Sequence, residues 1–128
     1  MDKILVDTSV WIEYFRKKDP LYSTVDKLID EDGICCIGLV LAELIQGAGS
    51  REEIKTLKDF TSVFAFLEES AKLWEKAGEL SFELKKAGQP IGLADCYIAA
   101  AASQFGVAIL TLDNHFSLIQ KQVKITLL

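Results

Sequence analysis

A single histidine and three cysteines are the only imidazole and thiol groups in this chain, and they fall in no zinc-binding spacing. Cys35 and Cys36 adjoin in a strand-like run, Cys96 lies far away, and His115 stands alone. An odd cysteine count also argues against a disulfide framework, so free thiols in a reducing, cytoplasmic setting are expected. Long apolar runs are missing too. None approaches the ~20 residues that span a bilayer. Met1-Asp2-Lys3 leads through three apolar residues directly to Asp7, which is the pattern of neither a signal peptide nor a membrane anchor. Basic charge is in deficit, with 14 Lys and Arg against 19 Asp and Glu and a net charge of −5. A protein that coats nucleic acid carries a basic surface, because phosphate neutralisation supplies most of its affinity. Only a small basic rim beside an acidic pocket remains open, with Arg16, Lys17, Arg51 and Lys55 as its candidates, although such clusters are more often solvated helix surface. Internal repeats, low-complexity tracts and Pro/Gly/Ser linkers are absent as well.

What the chain does have is the composition of a packed domain. At 128 residues with 50% hydrophobic and 26% charged side chains, one domain over residues 1–128 with a real core is expected. The apolar fraction lies at the upper end of the ordinary range, which points to surface covered by a partner or by a second copy in a homodimer. Trp11, Phe15, Trp74 and Phe82 have the helical spacing of core residues and are read as core before interface.

Short β-like runs alternate with helical periods throughout. Strands are expected at Lys3 to Val6, Gly33 to Ile37, Val63 to Leu67, Val107 to Leu112 and Val123 to Leu127. Helices are expected at Ser9 to Arg16, Leu21 to Glu31, Leu39 to Gln46, Ser50 to Phe60, Ser70 to Ala87, Leu93 to Phe105 and Asn114 to Lys121. Ser50 and Glu53 have capping-box spacing, and Gly106 is placed to stop the sixth helix. Parallel strands need crossover connections. The implied fold is therefore α/β, with a mainly parallel central sheet of about five strands flanked by helices on both faces.

In such sheets ligands collect beyond the carboxyl ends of the strands. Asp7 directly follows the first strand and Asp113 the fourth, while Glu43 and Asp95 interrupt apolar helical stretches. Each has an ordinary explanation: Asp7 and Asp113 as helix caps, Glu43 as the polar stripe of a buried helix, Asp95 as an anion welcome in a first helical turn. Those explanations do not account for four acids at corresponding ends of neighbouring elements without nearby basic partners. Crowded carboxylates resist joint ionisation unless cations neutralise them, and an all-oxygen set suits Mg²⁺ or Mn²⁺ rather than Zn²⁺.

Over nearly its whole length the chain resembles the PIN-domain family, and in particular the single-domain VapC toxins of VapBC toxin–antitoxin pairs. The resemblance is carried by Ile4-Leu5-Val6-Asp7-Thr8-Ser9-Val10-Trp11-Ile12, by Ala42-Glu43-Leu44-Ile45-Gln46-Gly47, by Gly92-Leu93-Ala94-Asp95-Cys96-Tyr97-Ile98-Ala99-Ala100-Ala101-Ala102 and by Leu110-Thr111-Leu112-Asp113-Asn114-His115-Phe116. It implies a metal-dependent endoribonuclease acting on structured RNA, with Asp7, Glu43, Asp95 and Asp113 holding one or two Mg²⁺ or Mn²⁺ ions. Ser9 and Thr111 would be hydroxyl supports near the ions. It further implies a VapB-type antitoxin that lays a segment across the pocket and presents a basic side chain to the acids. Some members carry a further acid where this chain has His115, which leaves occupancy of a second metal open; a lone histidine more often caps, packs or faces solvent than reacts. Two rival readings are a catalytically silent PIN-like binding module and a receiver-like phospho-accepting domain. The receiver would need paired acids after the first strand and a lysine after a late one, whereas Thr8-Ser9 follows Asp7 and Asp113 follows the late strand.

Overall fold

The computed structural model describes residues 2–128. Four short strands, β1 (Ile4–Val6), β2 (Ile34–Cys36), β3 (Ala65–Phe66) and β4 (Ala108–Leu110), form one sheet in the order β3-β2-β1-β4. Every pairing is parallel, and β1 sits in register with both neighbours: Leu5 faces Cys35 on one side and Ile109 on the other. Seven helices connect and cover the strands among the described residues: α1 (Thr8–Phe15), α2 (Leu21–Asp30), α3 (Gly38–Gln46), α4 (Arg51–Thr61), α5 (Ala71–Lys86), α6 (Leu93–Phe105) and α7 (His115–Ile119). The chain runs from β1 to β2 and β3 on one side, then returns to place β4 on the other. The sheet's topological switch point therefore lies between β1 and β4, where doubly wound sheets open a crevice.

The fifth strand expected at Val123 to Leu127 is reduced to a single parallel bridge between Ile109 and Leu127. Residues after α7 are spent in a turn that Gln120 closes by donating from Nε2 to the Ile125 carbonyl at 3.0 Å, so only the last few residues run beside β4. β4 itself stops at Leu110 rather than Leu112 because Thr111 turns its hydroxyl to Asp7 and accepts the Asp113 amide instead of continuing the ladder. β3 keeps only two residues of the expected five, both exposed at the sheet edge.

Helix ends follow local chemistry. Ser50 Oγ accepts the Glu53 amide at 3.1 Å, while the Glu53 carboxylate reaches back to the Gly49 amide at 2.7 Å, a capping box closed one residue early. Gly106 ends α6 in the left-handed region at φ 64°, where a side chain is penalised. α6 is buried all round from Cys96 to Ala102; its run of alanines lets α5 approach through Leu73, Ala77 and Leu84. On the other side, Trp11 packs edge-on to Phe60 and against Phe64, which fixes α1 beside α4. Of the four aromatics read as core, only Trp11 is buried; Phe15, Trp74 and Phe82 are exposed. Trp74 nevertheless stacks on Tyr97 with centroids 3.8 Å apart. The described residues contain no helix long and apolar enough to cross a membrane.

Candidate metal centre

Asp7 takes the N-cap position of α1, yet its carboxylate makes no capping bond. Oδ2 instead accepts two hydroxyls, from Ser9 at 2.9 Å and from Thr111 at 2.8 Å. Each hydroxyl in turn accepts a backbone amide from the loop after β4, Leu112 on Ser9 Oγ at 3.1 Å and Asp113 on Thr111 Oγ1 at 3.0 Å. The Asp7 amide donates to the Leu110 carbonyl at 2.9 Å, so the first strand's acid is bound to the fourth strand's exit at both backbone and side chain. The carboxylate is thus buried by charge-assisted bonds alone, without a basic partner.

Asp113 stands one residue before Asn114, the N-cap of α7, and accepts the His115 amide on Oδ1 at 2.9 Å. That bond starts α7 and brings the His115 ring over the N-terminus of α6, where Asp95 lies. His115 Nδ1 stands 2.9 Å from Asp95 Oδ2 and 3.3 Å from Asp113 Oδ1. One donor atom from each of these three residues lies within 4.8 Å of the others. Burial raises the pKa of Asp95, and the neighbouring charges of Asp113 and Asp7 raise it further, while the His115 hydrogen bond opposes them. His115 is raised in turn, chiefly by its hydrogen bond to Asp95 and then by the charge of Asp113. Burial and neighbouring acids that raise a carboxyl's pKa are features a bound cation would offset.

Glu43 stands apart from that tight group. Its Oε1 accepts the Thr8 hydroxyl at 2.8 Å, so the second-helix acid is tied to the residue next to Asp7. It opens onto a groove of about 620 Å³ walled by Ile12, Phe15 and Arg16 of α1, by Leu44 of α3, and by Thr56 and Leu57 of α4. Of the four rim candidates, Arg16 lines this groove; its guanidinium is 3.4 Å from Glu13. Arg51 and Lys55 are exposed on α4 and Lys17 is exposed just beyond α1, but none of the three lines it.

Two contributors escape the sequence patterns. His115 joins the acids through a contact twenty residues away in sequence from Asp95, so the donor set is not all oxygen. Glu69, an exposed acid between β3 and α5, accepts the Tyr97 hydroxyl on Oε1 and the Gly38 amide on Oε2. One side chain thereby clamps the starts of α3 and α6, the helices that carry Glu43 and Asp95. No periodicity or motif marks that role.

The donors fit a divalent cation: Asp95, Asp113 and His115 offer one ligand atom each within 4.8 Å, Asp7 is near enough for its charge to act on Asp95, and none of these acids is paired with lysine or arginine among the described residues. Comparisons with known proteins agree with this geometry. Residues 4–122 match the PIN domain model. Ribonuclease VapC2 of Haemophilus influenzae is 31% identical over 116 residues, 87% of this chain and 86% of that one. Ribonuclease VapC1 of Methanocaldococcus jannaschii is 33% identical over 101 residues, covering 78% and 68%. Among solved structures, VapBC2 of Rickettsia felis, crystallised on a DNA fragment from its promoter, has a chain that superposes with a TM-score of 0.75 at 25% identity, covering 98% of this chain and 96% of that one. The receiver-like reading is set aside by these matches. With its acids gathered at the switch point of a parallel sheet and the family model spanning nearly its full length, this chain belongs to the PIN-domain family, among the VapC-type members.

Proposed function

We propose that the chain is a divalent-metal-dependent endoribonuclease of the cytoplasm, the toxin of a toxin–antitoxin pair, using Mg²⁺ or Mn²⁺. The observation that carries the reading is the convergence of Asp7, Asp95 and Asp113 beyond the β1 and β4 ends, with Ser9 and Thr111 both spent on Asp7. The relatives' description as ribonucleases supports the reaction class. Bound divalent cations supply an activated water at neutral pH and stabilise charge on the scissile phosphate and leaving oxygen.

The chain's own residues do the rest. Ser9 and Thr111 hold the Asp7 carboxylate in one orientation, with no cationic side chain on it. Asp95 and Asp113 complete the anionic wall, and Glu43 extends it toward the groove. Arg16, at the groove's edge, is placed to meet a backbone phosphate of an approaching single strand. The groove also suits an antitoxin segment: apolar walls from Ile12, Phe15, Leu44 and Leu57 accept apolar side chains, and the acids at its end accept a basic one. The VapBC2 complex of Rickettsia felis supports a VapB-type partner, and a homodimer fits the exposed Phe82 and Trp74.

The test is cleavage of total cellular RNA by the purified chain with Mg²⁺ or Mn²⁺ against EDTA, beside Asp7→Asn prepared identically. Discrete fragments that vanish with EDTA and in the variant are expected. Metal binding without cleavage would instead mark a binding-only PIN fold.

A further inference from the structure

The geometry points to His115 as a ligand in its own right: we infer that its Nδ1 joins Asp95 and Asp113 on one cation and biases the site toward Mn²⁺ and heavier first-row dications over Mg²⁺. The inference rests on the metal-site reading above and deepens it.

The spacing fits. Two donors at right angles on an ion with bonds of ~2.1 Å lie about 3.0 Å apart, and Nδ1 is 2.9 Å from Asp95 Oδ2 and 3.3 Å from Asp113 Oδ1. All three donor atoms fall within 4.8 Å of one another, as ligands of one ion must. The ring's direction is imposed by the fold. Phe116 and Ile119 are fully buried and dock α7 on the core, while the Asp113 carboxylate holds the His115 amide at 2.9 Å. With its neighbour committed inward and its own amide capped, the half-exposed imidazole is held with Nδ1 toward the Asp95 carboxylate at the start of α6. The tautomer protonated at Nε2 offers the Nδ1 lone pair to the cation, and Nε2–H remains free for water or a phosphate oxygen.

The selectivity follows from ligand chemistry. Imidazole nitrogen strengthens binding along the series from Mn²⁺ to Cu²⁺, whereas Mg²⁺ prefers oxygen and replaces a lost ligand with water. A three-carboxylate site without the ring would lose that preference.

Mn²⁺ and Mg²⁺ binding are measured by calorimetry on the wild type, His115→Ala, His115→Asp and Asp95→Asn, and the Mn²⁺-loaded wild type is examined by electron spin-echo spectroscopy for directly bonded ¹⁴N. Expected are a ¹⁴N coupling in the wild type, about a tenfold loss of Mn²⁺ affinity in His115→Ala, less than about a threefold loss for Mg²⁺, and a lowered Mn²⁺/Mg²⁺ ratio in His115→Asp. The spectroscopic arm needs no variant, and the ring is half exposed, so folding defects do not blur the result. Acid-dependent Mn²⁺ binding without ¹⁴N coupling, or an unchanged ratio in His115→Ala, would overturn the role of His115 and leave the metal site standing. Absence of binding in both the wild type and Asp95→Asn would overturn the metal site and the inference together.

Discussion

Replacing Asp7 by Asn and by Ala separates the charge of this residue from its hydrogen bonds. Asp7 is 5% exposed and its Oδ2 takes both the Ser9 and the Thr111 hydroxyl. A hydrogen bond to a charged group contributes about 1.5–3 kcal/mol and a neutral one about 0.5–1.5, so an Asn carbonyl in the same place forfeits about 2 kcal/mol over the two bonds. Against this stands relief of repulsion, since the Asp7 charge acts on Asp95. Like charges in a partly solvated cleft repel by up to about 4 kcal/mol at close range and less beyond it, so gain and loss are of one order. Unfolding entropy of about 2.1 cal/mol/K per residue makes 1 kcal/mol worth about 4 °C in a chain of 128 residues. Asp7→Asn should therefore melt within about 4 °C of the wild type in EDTA. Asp7→Ala removes the acceptor outright and strands both hydroxyls, a net cost of about 2–4 kcal/mol, which lowers the melting temperature by about 8–15 °C. RNA cleavage should be lost in both variants. Thermal melts in EDTA, paired with the cleavage assay, decide the matter. An Asn variant that melts as low as the Ala variant, or that still cuts RNA, refutes the argument that Asp7 is held for its charge.

Tyr97→Phe removes the hydroxyl that Glu69 accepts and should cost about 1–2 kcal/mol; a melting temperature unchanged by chemical or thermal denaturation would show that the clamp on α6 contributes nothing. Burial pushes the Cys35 thiol up to about 11 and the Cys36 thiol up to about 12, so iodoacetamide at pH 8 should leave both unmodified until guanidinium is added. Because the folded thiols keep protons that unfolded ones release, stability should fall as pH rises through 9 toward 11; a thermal melt that is flat across that range counts against it. Charge reversal at Arg16 should weaken RNA binding several-fold in a gel-shift assay with Mn²⁺ affinity intact, and the same change at Lys17, Arg51 or Lys55 should do less, since only Arg16 lines the groove; equal effects at all four positions would dissolve the distinction.

The alternation of strand and helix was legible because each element buries a face with its own period, and the acids stood out because they broke that pattern. Gly106 and the Ser50 box were likewise local chemistry and read directly. What escaped was set by tertiary contact. β4 ends early because a hydroxyl on Thr111 has a better partner in Asp7 than in the sheet, and the last strand dwindles because Gln120 turns the chain back on itself. Phe15 and Phe82 show a core-like spacing on their helices, yet both stay exposed among the described residues, Phe15 despite packing on Trp11 and Phe60. His115 and Glu69 join the site through partners 20 and 31 residues away, distances over which no periodicity carries information.

The two hydroxyls on Asp7 also decide how that carboxylate meets the outside world. An ionised oxygen has room for about two strong donors along its lone pairs, and Oδ2 already has Ser9 and Thr111. Oδ1 is the oxygen left to offer, so Asp7, in the metal role proposed for it, would be a one-toothed ligand. A large, many-coordinate ion such as Ca²⁺ gains from gripping both oxygens of a carboxylate, while a small octahedral ion asks for one. In the proposed metal site the strand-end hydroxyls would therefore act as a gauge of ionic radius, written into the hydrogen bonding before any ion arrives.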